Sequence, residues 1–288
     1  MRVLVTGAGG MVGRAVVDYC AAQGDQVLAH DRHSLDIADA AAVCATFERE
    51  RPQVIINCAA WTDVDGCELN PQRAYEANAL GPENLAAHGR RVGASLVTIS
   101  TDFVFDGVKD GFYTQRDDPN PKSVYAAAKL DGERRAQAAN ARTSVVRTGW
   151  VFGVGGRNFL SLVIERARRG ERLKAIGDAY GTPTYAKDLA ARLCRLAELD
   201  LPGVYHVVNS GEGASFEEFA RAALAAAVCD PAVIESVRMD SLSRPAPRPR
   251  NSRLRCLLSP AIGLEPLPHW TVALKDFAAA GARSEATA

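Results

Sequence analysis

The first half of the chain alternates short apolar runs, rich in β-branched residues, with longer amphipathic stretches. Runs of the first kind predict strands, and apolar positions that recur every three to four residues predict helices. The predicted strands are 3–5, 26–29, 54–57, 95–100 and 144–147, and the predicted helices are 11–22, 71–91 and 124–139. Because alternating strands and helices form parallel sheets covered on both faces, we expect residues 1–150 to form one doubly wound α/β unit.

The pattern loosens after residue 150. It predicts a helix over 158–169, a strand over 203–208, and a helix over 216–227 whose N-cap is Ser215. We expect residues 151–280 to form a second, smaller α/β region, from which the chain is free to return to the sheet. Residues 281–288, "GARSEATA", are expected to be a disordered tail.

One stretch of the second half has an unusual composition. Residues 243–253, "SRPAPRPRNSR", contain three prolines and four arginines. Because proline has no backbone N–H, this Pro/Arg segment is predicted to be neither a regular helix nor a central strand. Composition alone favours a solvated linker.

Charge and cysteine content limit the class of protein. The 288 residues include 34 basic and 34 acidic side chains, so no global field gathers nucleic acid or an anionic membrane. The seven cysteines are scattered, with no Cys-x-x-Cys pair, which suits a reducing cytoplasm and predicts no metal site. The apolar run at 3–5 is too short for a signal-peptide core or a membrane span. We therefore expect a cytoplasmic protein that binds neither nucleic acid nor membrane.

A glycine-rich turn follows the first predicted strand and opens the first predicted helix. In "TGAGGMVG", Gly7, Gly10 and Gly13 are three residues apart. Glycines at such positions allow a tight turn, let the backbone approach a pyrophosphate, and let the helix pack close to the sheet. The context predicts a dinucleotide site, with a simple tight turn as the alternative.

Residues at the end of the second predicted strand bear on the choice of cofactor. Asp31 could bond the adenosine ribose hydroxyls and repel a 2′-phosphate, which favours NADH. Arg32 could instead pair with the 2′-phosphate of NADPH. The sequence therefore predicts NADPH or NADH without choosing between them. Asp36 and Ile37 could flank the adenine, or simply form a loop turn.

The candidate reacting residues follow later strands and open a helix. Thr101 and Asp102 lie at the carboxyl end of a predicted strand, where ligands sit in open α/β sheets. Tyr125 and Lys129 lie one helical turn apart and can face the same cleft. A phenol can donate a proton during hydride reduction of a ketone, and a nearby ammonium should lower the pKa of that phenol. Thr101 could donate a hydrogen bond to the same substrate oxygen.

Seven blocks, in order, carry a resemblance to a known family. They are "TGAGGMVG", "NCAAWTDVD", "STDFVFDG", "VYAAAKLDGE", "RTGWVFG", "GDAYGTPT" and "RPRNSRL". Over residues 1 to about 275 the chain resembles the extended short-chain dehydrogenases of the NAD(P)-binding Rossmann superfamily, and among them the dTDP-4-dehydrorhamnose reductases. The resemblance implies NAD(P)H-dependent 4-keto reduction of a dTDP-linked 6-deoxysugar, as in dTDP-L-rhamnose biosynthesis, with residues 151–280 mainly binding the nucleotide-sugar substrate. A homodimer is compatible with it.

The resemblance also implies roles for single residues. Thr101, Tyr125 and Lys129 match the catalytic set, and the lysine also matches a nicotinamide-ribose ligand. Three groups of residues match cofactor ligands. Gly10, Met11 and Val12 match the ligands of the pyrophosphate, and Asp31, Asp36 and Ile37 match residues near the adenosine. Ala60, Trp61 and Thr62 match residues that line the middle of the cofactor. The matches to substrate ligands are Thr101, Asp102, Trp150, Arg248, Asn251 and Arg253.

Some positions keep a second interpretation or depart from the family pattern. Asn158 and Phe159 could meet the nucleotide, but a helix cap and a core aromatic explain them nearly as well. Residues 126–128 are all alanine and Gly149 stands where these reductases commonly have serine, which leaves the choice of sugar open.

Two other functions fit part of the pattern. A nucleotide-sugar epimerase or dehydratase uses the same scaffold, although dehydratases similar to this chain have an acidic pair where Phe103 follows Asp102 here. A binding protein similar to the regulatory subunit of methionine adenosyltransferase would share the dinucleotide site. It would have little use for the block at 248–254.

Overall fold

A computed structural model describes residues 1–156 and 158–286 of the chain, without the side chains of 281–286. The strands are β1 Arg2–Thr6, β2 Gln26–His30, β3 Val54–Asn57, β4 Ser95–Thr101, β5 Thr143–Thr148, β6 Val151–Phe152, β7 Leu173–Ile176, β8 Tyr180–Gly181, β9 Thr184–Tyr185, β10 Gly203–His206, β11 Asn209–Ser210, β12 Ala214–Ser215, β13 Ile234–Val237 and β14 Leu267–His269. The α-helices are α1 Met11–Ala22, α2 Ala40–Glu50, α3 Val64–Leu69, α4 Pro71–Tyr75, α5 Gly81–Val92, α6 Val124–Ala139, α7 Phe159–Arg168, α8 Ala186–Leu199, α9 Phe216–Ala226, α10 Leu258–Ala261 and α11 Trp270–Ala286.

The main sheet is parallel and has the order β10-β5-β4-β3-β1-β2. Strands β1 and β3 are apolar on both sides because helices cover both faces, and Leu4 and Ile55 are completely buried. The predicted doubly wound sheet is confirmed. The strand order reverses at β1, so the carboxyl ends of β1, β3 and β4 meet at the crevice where such sheets bind ligands.

The helix predicted over 71–91 contains a π-helical segment, Glu76–Leu80, between α4 and α5. Pro82 has no N–H to donate to the carbonyl of Asn78, and the Gly81 N–H bonds instead to the carbonyl of Glu76. Gly132 of α6 packs here, since a Cβ on it would lie 2.1 Å from the Asn78 carbonyl oxygen. The Asn78 side chain binds the backbone N–H and carbonyl of Trp61 at 2.9 and 3.0 Å. The distorted turn thus holds the loop after β3.

The second half of the chain returns to the sheet. β10 pairs with β5, and α8 packs on α1. The predicted strand over 203–208 ends at His206, whereas the predicted Ser215 cap of α9 is confirmed. The predicted helices omit α2, α3, α8, α10 and α11, although Leu189, Leu193 and Leu196 of α8 are buried at helical spacing. A separate aromatic core lies beyond the sheet and includes Phe152, Phe219, Trp270 and Phe277.

The Pro/Arg segment has no helix or strand, as predicted, but it is not a solvated linker. The backbone of Tyr180 bonds to Arg250 at 2.7 Å and to Ser252 at 2.8 Å, and Tyr113 bonds to Arg253 and Arg255 in the same way. The linker interpretation is wrong because two distant parts of the chain supply these partners.

The predicted tail at 281–288 also differs. Its first part continues α11 to Ala286, because alanine, arginine and glutamate favour the helix. Residues 287 and 288 lie outside the described residues.

Candidate active site

A cavity of about 450 Å³ opens at the carboxyl ends of β1 and β3. It lies between the glycine turn, the loop after β2, the loop after β3 and the start of the π-helical segment. The predicted cofactor residues that line it are Gly7, Gly10, Asp31, Arg32, Asp36, Ile37, Ala60 and Trp61. The sequence positions predicted for a dinucleotide therefore converge on one space.

The glycine turn is shaped by positions that tolerate no side chain. Gly7 has φ +67°, and a Cβ on it would lie 2.7 Å from the backbone nitrogen of Ala59. A Cβ on Gly13 would lie 2.1 Å from the Gly7 carbonyl oxygen. Gly10 is the N-cap of α1 and has no side chain to cap it. The first backbone N–H groups of α1 thus face the cavity edge, where an anion is favoured.

The far end of the cavity contains charged residues of both signs. The Asp31 carboxylate accepts backbone N–H bonds from His33 and Ser34 at 3.0 and 2.9 Å, and hydrogen bonds from Ser34 lower the pKa of Asp31. Arg73, which the sequence did not single out, lies 4.3 Å from the Trp61 ring centre and lines the same cavity. Asp36 forms the loop turn that was the alternative interpretation, accepting from the Ala38 N–H.

Six predicted cofactor residues lie outside the lining of the cavity: Met11, Val12, Gly13, Thr62, Tyr125 and Lys129. Met11 and Val12 belong to the first turn of α1; the Met11 side chain packs against Gly153 and Gly156, and Val12 packs against the core beside the sheet. Thr62 is exposed in the loop after β3. At the glycine turn, Met11 and Val12 therefore offer a ligand their backbone N–H groups.

Thr101, Tyr125 and Lys129 are all buried, with 5%, 8% and 4% of each residue exposed. Thr101 ends β4. The Ser123 side chain caps α6 and so places Tyr125 in the first turn of that helix. The Lys129 ammonium donates to the Ile99 carbonyl at 2.6 Å. The structure therefore brings the three predicted catalytic residues together between β4 and α6.

The expected effect of Lys129 on the phenol is wrong for this structure. Burial raises the pKa of Tyr125 above its usual value, a hydrogen bond with Thr101 opposes the shift, and the charge of Asp102 adds to it. Burial also lowers the pKa of Lys129 to about 8, against the charge of Glu133. Tyr125 consequently keeps its proton at neutral pH, as a proton donor must.

A small second cavity adjoins this region. Trp150 has φ +49°, and its ring stacks on Phe216 with 3.7 Å between centroids. A Cβ on Gly181 would lie 2.1 Å from the Trp150 ring, so the glycine makes room for it. The cavity lining includes Trp150, Phe103, Phe216, Arg244, Arg248 and Ser252. Trp150 and Arg248 were predicted, whereas Phe103, Phe216 and Arg244 were not.

Other predicted substrate ligands are used within the protein. Asn251 donates to the carbonyls of Lys109 and Gly111, both at 2.6 Å. Arg253 donates to Asn251 and lies over the rings of Phe112 and Tyr180. These two side chains anchor the Pro/Arg segment because its prolines leave few backbone donors.

Arg248 and Asn158 are also engaged. Arg248 binds both carboxylate oxygens of Asp65 while still facing the second cavity. Asn158 caps α7 in a capping box with Ser161 and donates to the carbonyls of Gly153 and Gly156. Phe159 packs in the aromatic core, so the helix cap and the core aromatic are what the structure shows.

Known proteins with similar sequences agree with the site described above. The family model described as "RmlD substrate binding domain" matches residues 1–282. A dTDP-4-dehydrorhamnose reductase of Streptomyces griseus is 39% identical over 281 residues, covering 96% of this chain and 92% of the relative. The chain belongs to the dTDP-4-dehydrorhamnose reductase family.

Further members of the dTDP-4-dehydrorhamnose reductase family match over nearly the whole chain. The Mycolicibacterium smegmatis reductase is 40% identical over 282 residues, which cover 97% of this chain and 85% of the relative. The Bacillus anthracis dTDP-4-dehydrorhamnose reductase, solved in complex with NADP, has a TM-score of 0.93 at 33% identity and covers 96% of this chain and 98% of its own. The resemblance recognised in the sequence is confirmed.

No helix in residues 1–156 and 158–286 has the length and apolar content to cross a bilayer.

Proposed function

We propose that this chain reduces the 4-keto group of a dTDP-6-deoxy-L-hexulose with NADPH or NADH, giving the dTDP-L-rhamnose type of product. The observation that carries the proposal is the buried set Thr101, Tyr125 and Lys129, of which Tyr125 packs in one cluster with Trp61 of the cavity lining. Relatives covering nearly the whole chain are named dTDP-4-dehydrorhamnose reductases, and the B. anthracis protein is in complex with NADP. A reducing cytoplasm suits its seven free cysteines.

The residues present fit a dinucleotide. Gly7 and Gly13 form a cradle that a Cβ would fill, and the start of α1 offers backbone N–H groups to a pyrophosphate. Arg32 and Arg73 supply positive charge near the adenosine end, while Oδ1 of Asp31 accepts hydrogen bonds from His33 and Ser34. The residues proposed to bind the dinucleotide are Gly7, Gly10, Met11, Val12, Gly13, Asp31, Arg32, Asp36, Ile37, Ala60, Trp61, Thr62, Arg73, Tyr125 and Lys129.

The nicotinamide ring of the bound cofactor supplies the hydride. Tyr125 then donates its phenolic proton to the C4 oxygen, which its raised pKa keeps available. Lys129 fixes α6, which carries Tyr125, against β4, which carries Thr101. Thr101 holds the same oxygen by a hydrogen bond. Trp150, Phe103 and Phe216 form apolar walls for the sugar, and Arg244 and Arg248 lie where a diphosphate needs positive charge.

A steady-state assay tests the proposal. The purified protein is mixed with a dTDP-4-keto-6-deoxy-L-hexulose and each reduced cofactor in turn, and cofactor consumption is followed by absorbance. Stoichiometric oxidation with formation of the 4-hydroxy sugar is expected. An epimerase would interconvert sugars without net consumption, and a regulatory subunit would consume nothing while retaining a stoichiometric synthetase in a pull-down.

A further inference from the structure

Asp102 packs its carboxyl against the backbone of Gly149, the residue that follows β5. A Cβ built on Gly149 would lie 2.4 Å from both Cγ and Oδ2 of Asp102. The carboxyl therefore occupies the space that a side chain at position 149 would need. Only 3% of Asp102 is exposed, so the acid is buried beside the hydroxyl of Thr101.

The buried carboxyl is incompletely hydrogen-bonded. Thr101 Oγ1 donates to Asp102 Oδ1, and the two atoms are 3.1 Å apart. Oδ2 has no hydrogen-bond partner within the described part of the chain. A buried carboxylate oxygen in this situation is costly, and protonation of the acid relieves the cost.

The cationic groups around Asp102, except Arg244 of the second cavity, are committed to other partners. The elements packed against Asp102 carry Tyr125, Lys129 and Glu133 on α6, Arg147 on β5, and Arg244 and Arg248 in the Pro/Arg segment. Lys129 donates to Ile99, Arg147 pairs with Glu133, and Arg248 pairs with Asp65. Burial raises the pKa of Asp102 to about 6, and hydrogen bonds from Ser252 and Thr101 oppose the shift.

The protonation state of Asp102 sets the direction of its bond with Thr101. The Thr101 hydroxyl has one proton, and its oxygen already accepts the Phe103 N–H at 3.2 Å. An ionised Asp102 can only accept, so Thr101 gives it that proton. A neutral Asp102 can donate to Thr101 Oγ1, which frees the Thr101 proton from the carboxylate for the other oxygens it meets, that of Tyr125 and that of the substrate.

We propose that Asp102 is a positioning residue whose protonation decides whether Thr101 donates a hydrogen bond to the C4 oxygen of the substrate. The inference rests on the reduction proposed above. Tyr125 delivers the proton in both states, so Asp102 changes the rate and not the chemistry. The direct contact of Asp102 with the substrate, which the resemblance implies, stays a prediction.

Asp102→Asn is the informative variant, because its amide N–H can donate to Thr101 Oγ1 at every pH. With saturating keto sugar and NADPH, kcat of the unsubstituted protein should fall several-fold as the pH rises through about 6. In the variant, kcat should no longer fall near pH 6, but it should still change near the pKa of Lys129, about 8. If kcat of Asp102→Asn falls near pH 6 as it does in the unsubstituted protein, the proposal is overturned.

A double-mutant cycle separates this role from a merely structural one. Thr101→Val removes the hydroxyl through which Asp102 is proposed to act. In the Thr101→Val background, Asp102→Asn should therefore leave the pH profile unchanged. The proposal is overturned if Asp102→Asn has the same effect with and without the Thr101 hydroxyl.

An infrared titration distinguishes failure of the inference from failure of the proposed function. The carboxylic acid band of Asp102 should disappear through about pH 6 in the unsubstituted protein and be missing from Asp102→Asn at all pH values. Absence of such a band overturns the inference whatever the activity. A band that titrates in a protein that reduces no keto sugar overturns the proposed function, and with it the role toward the substrate.

Discussion

The Lys129 ammonium donates to the main-chain carbonyl of Ile99, and the two atoms are 2.6 Å apart. Ile99 lies two residues before Thr101 on β4, and Lys129 lies one helical turn after Tyr125 on α6. One hydrogen bond therefore sets the strand that carries the hydroxyl against the helix that carries the phenol. Lys129 is a structural link as well as a charge.

Replacing Tyr125 by Phe should remove the proton donor and preserve the fold. We expect turnover of the keto sugar to fall by roughly two or more orders of magnitude, with NADPH affinity near normal. Steady-state kinetics and cofactor titration measure the two effects. Tyr75→Phe, which removes a phenol hydroxyl on α4, is the control and should keep its activity. A native rate in Tyr125→Phe would show that another group donates the proton.

Lys129 should make stability depend on pH in a defined direction. Its pKa falls from 10.5 to about 8 on folding, so between these values the unfolded chain binds more protons. Stability should therefore rise with pH across this window, by at most about 3 kcal/mol. Urea unfolding at several pH values measures it. Lys129→Met should flatten the rise, whereas Lys174→Met, at an exposed position, should not.

Gly13→Ala should damage the phosphate turn directly. The new Cβ would lie 2.1 Å from the Gly7 carbonyl oxygen, so α1 must move away from the turn. We expect a lower melting temperature and a loss of NADPH affinity together. Gly10→Ala is the comparison, because its Cβ would lie 3.3 Å from the same atom and should cost less stability. Equal melting temperatures for the two variants would contradict the explanation.

Glu133 and Arg147 form a buried ion pair with 4% and 8% of their side chains exposed. Glu133→Gln leaves the guanidinium buried without its counter-charge and should cost about 3–5 kcal/mol of unfolding free energy. Glu165→Gln breaks the exposed pair with Arg169 and should cost at most about 1 kcal/mol. Denaturant unfolding of both variants tests the contrast, and similar losses would show that burial is not the cause.

The signals that predicted the site were local ones. Glycine spacing after a strand and a Tyr–Lys pair one turn apart are visible within a few residues, and the structure brings both to one edge of the sheet. The partners of the Pro/Arg segment were not predictable in this way. Asp65 lies 183 positions from Arg248 in the sequence. The periodic spacing of apolar residues predicts helices and strands, but it does not predict which carboxylate pairs with a given arginine. Arg244 and Phe216 were missed for the same reason.

The ion pairs that hold the Pro/Arg segment limit how chimeras between related reductases can be built. Arg248 binds Asp65, and Arg250 binds Asp178 and Asp240. Transplanting residues 243–253 from a relative would import arginines without the acids that hold them, or acids without their arginines. A chimera that exchanges substrate preference by this segment should therefore also exchange Asp65, Asp178 and Asp240.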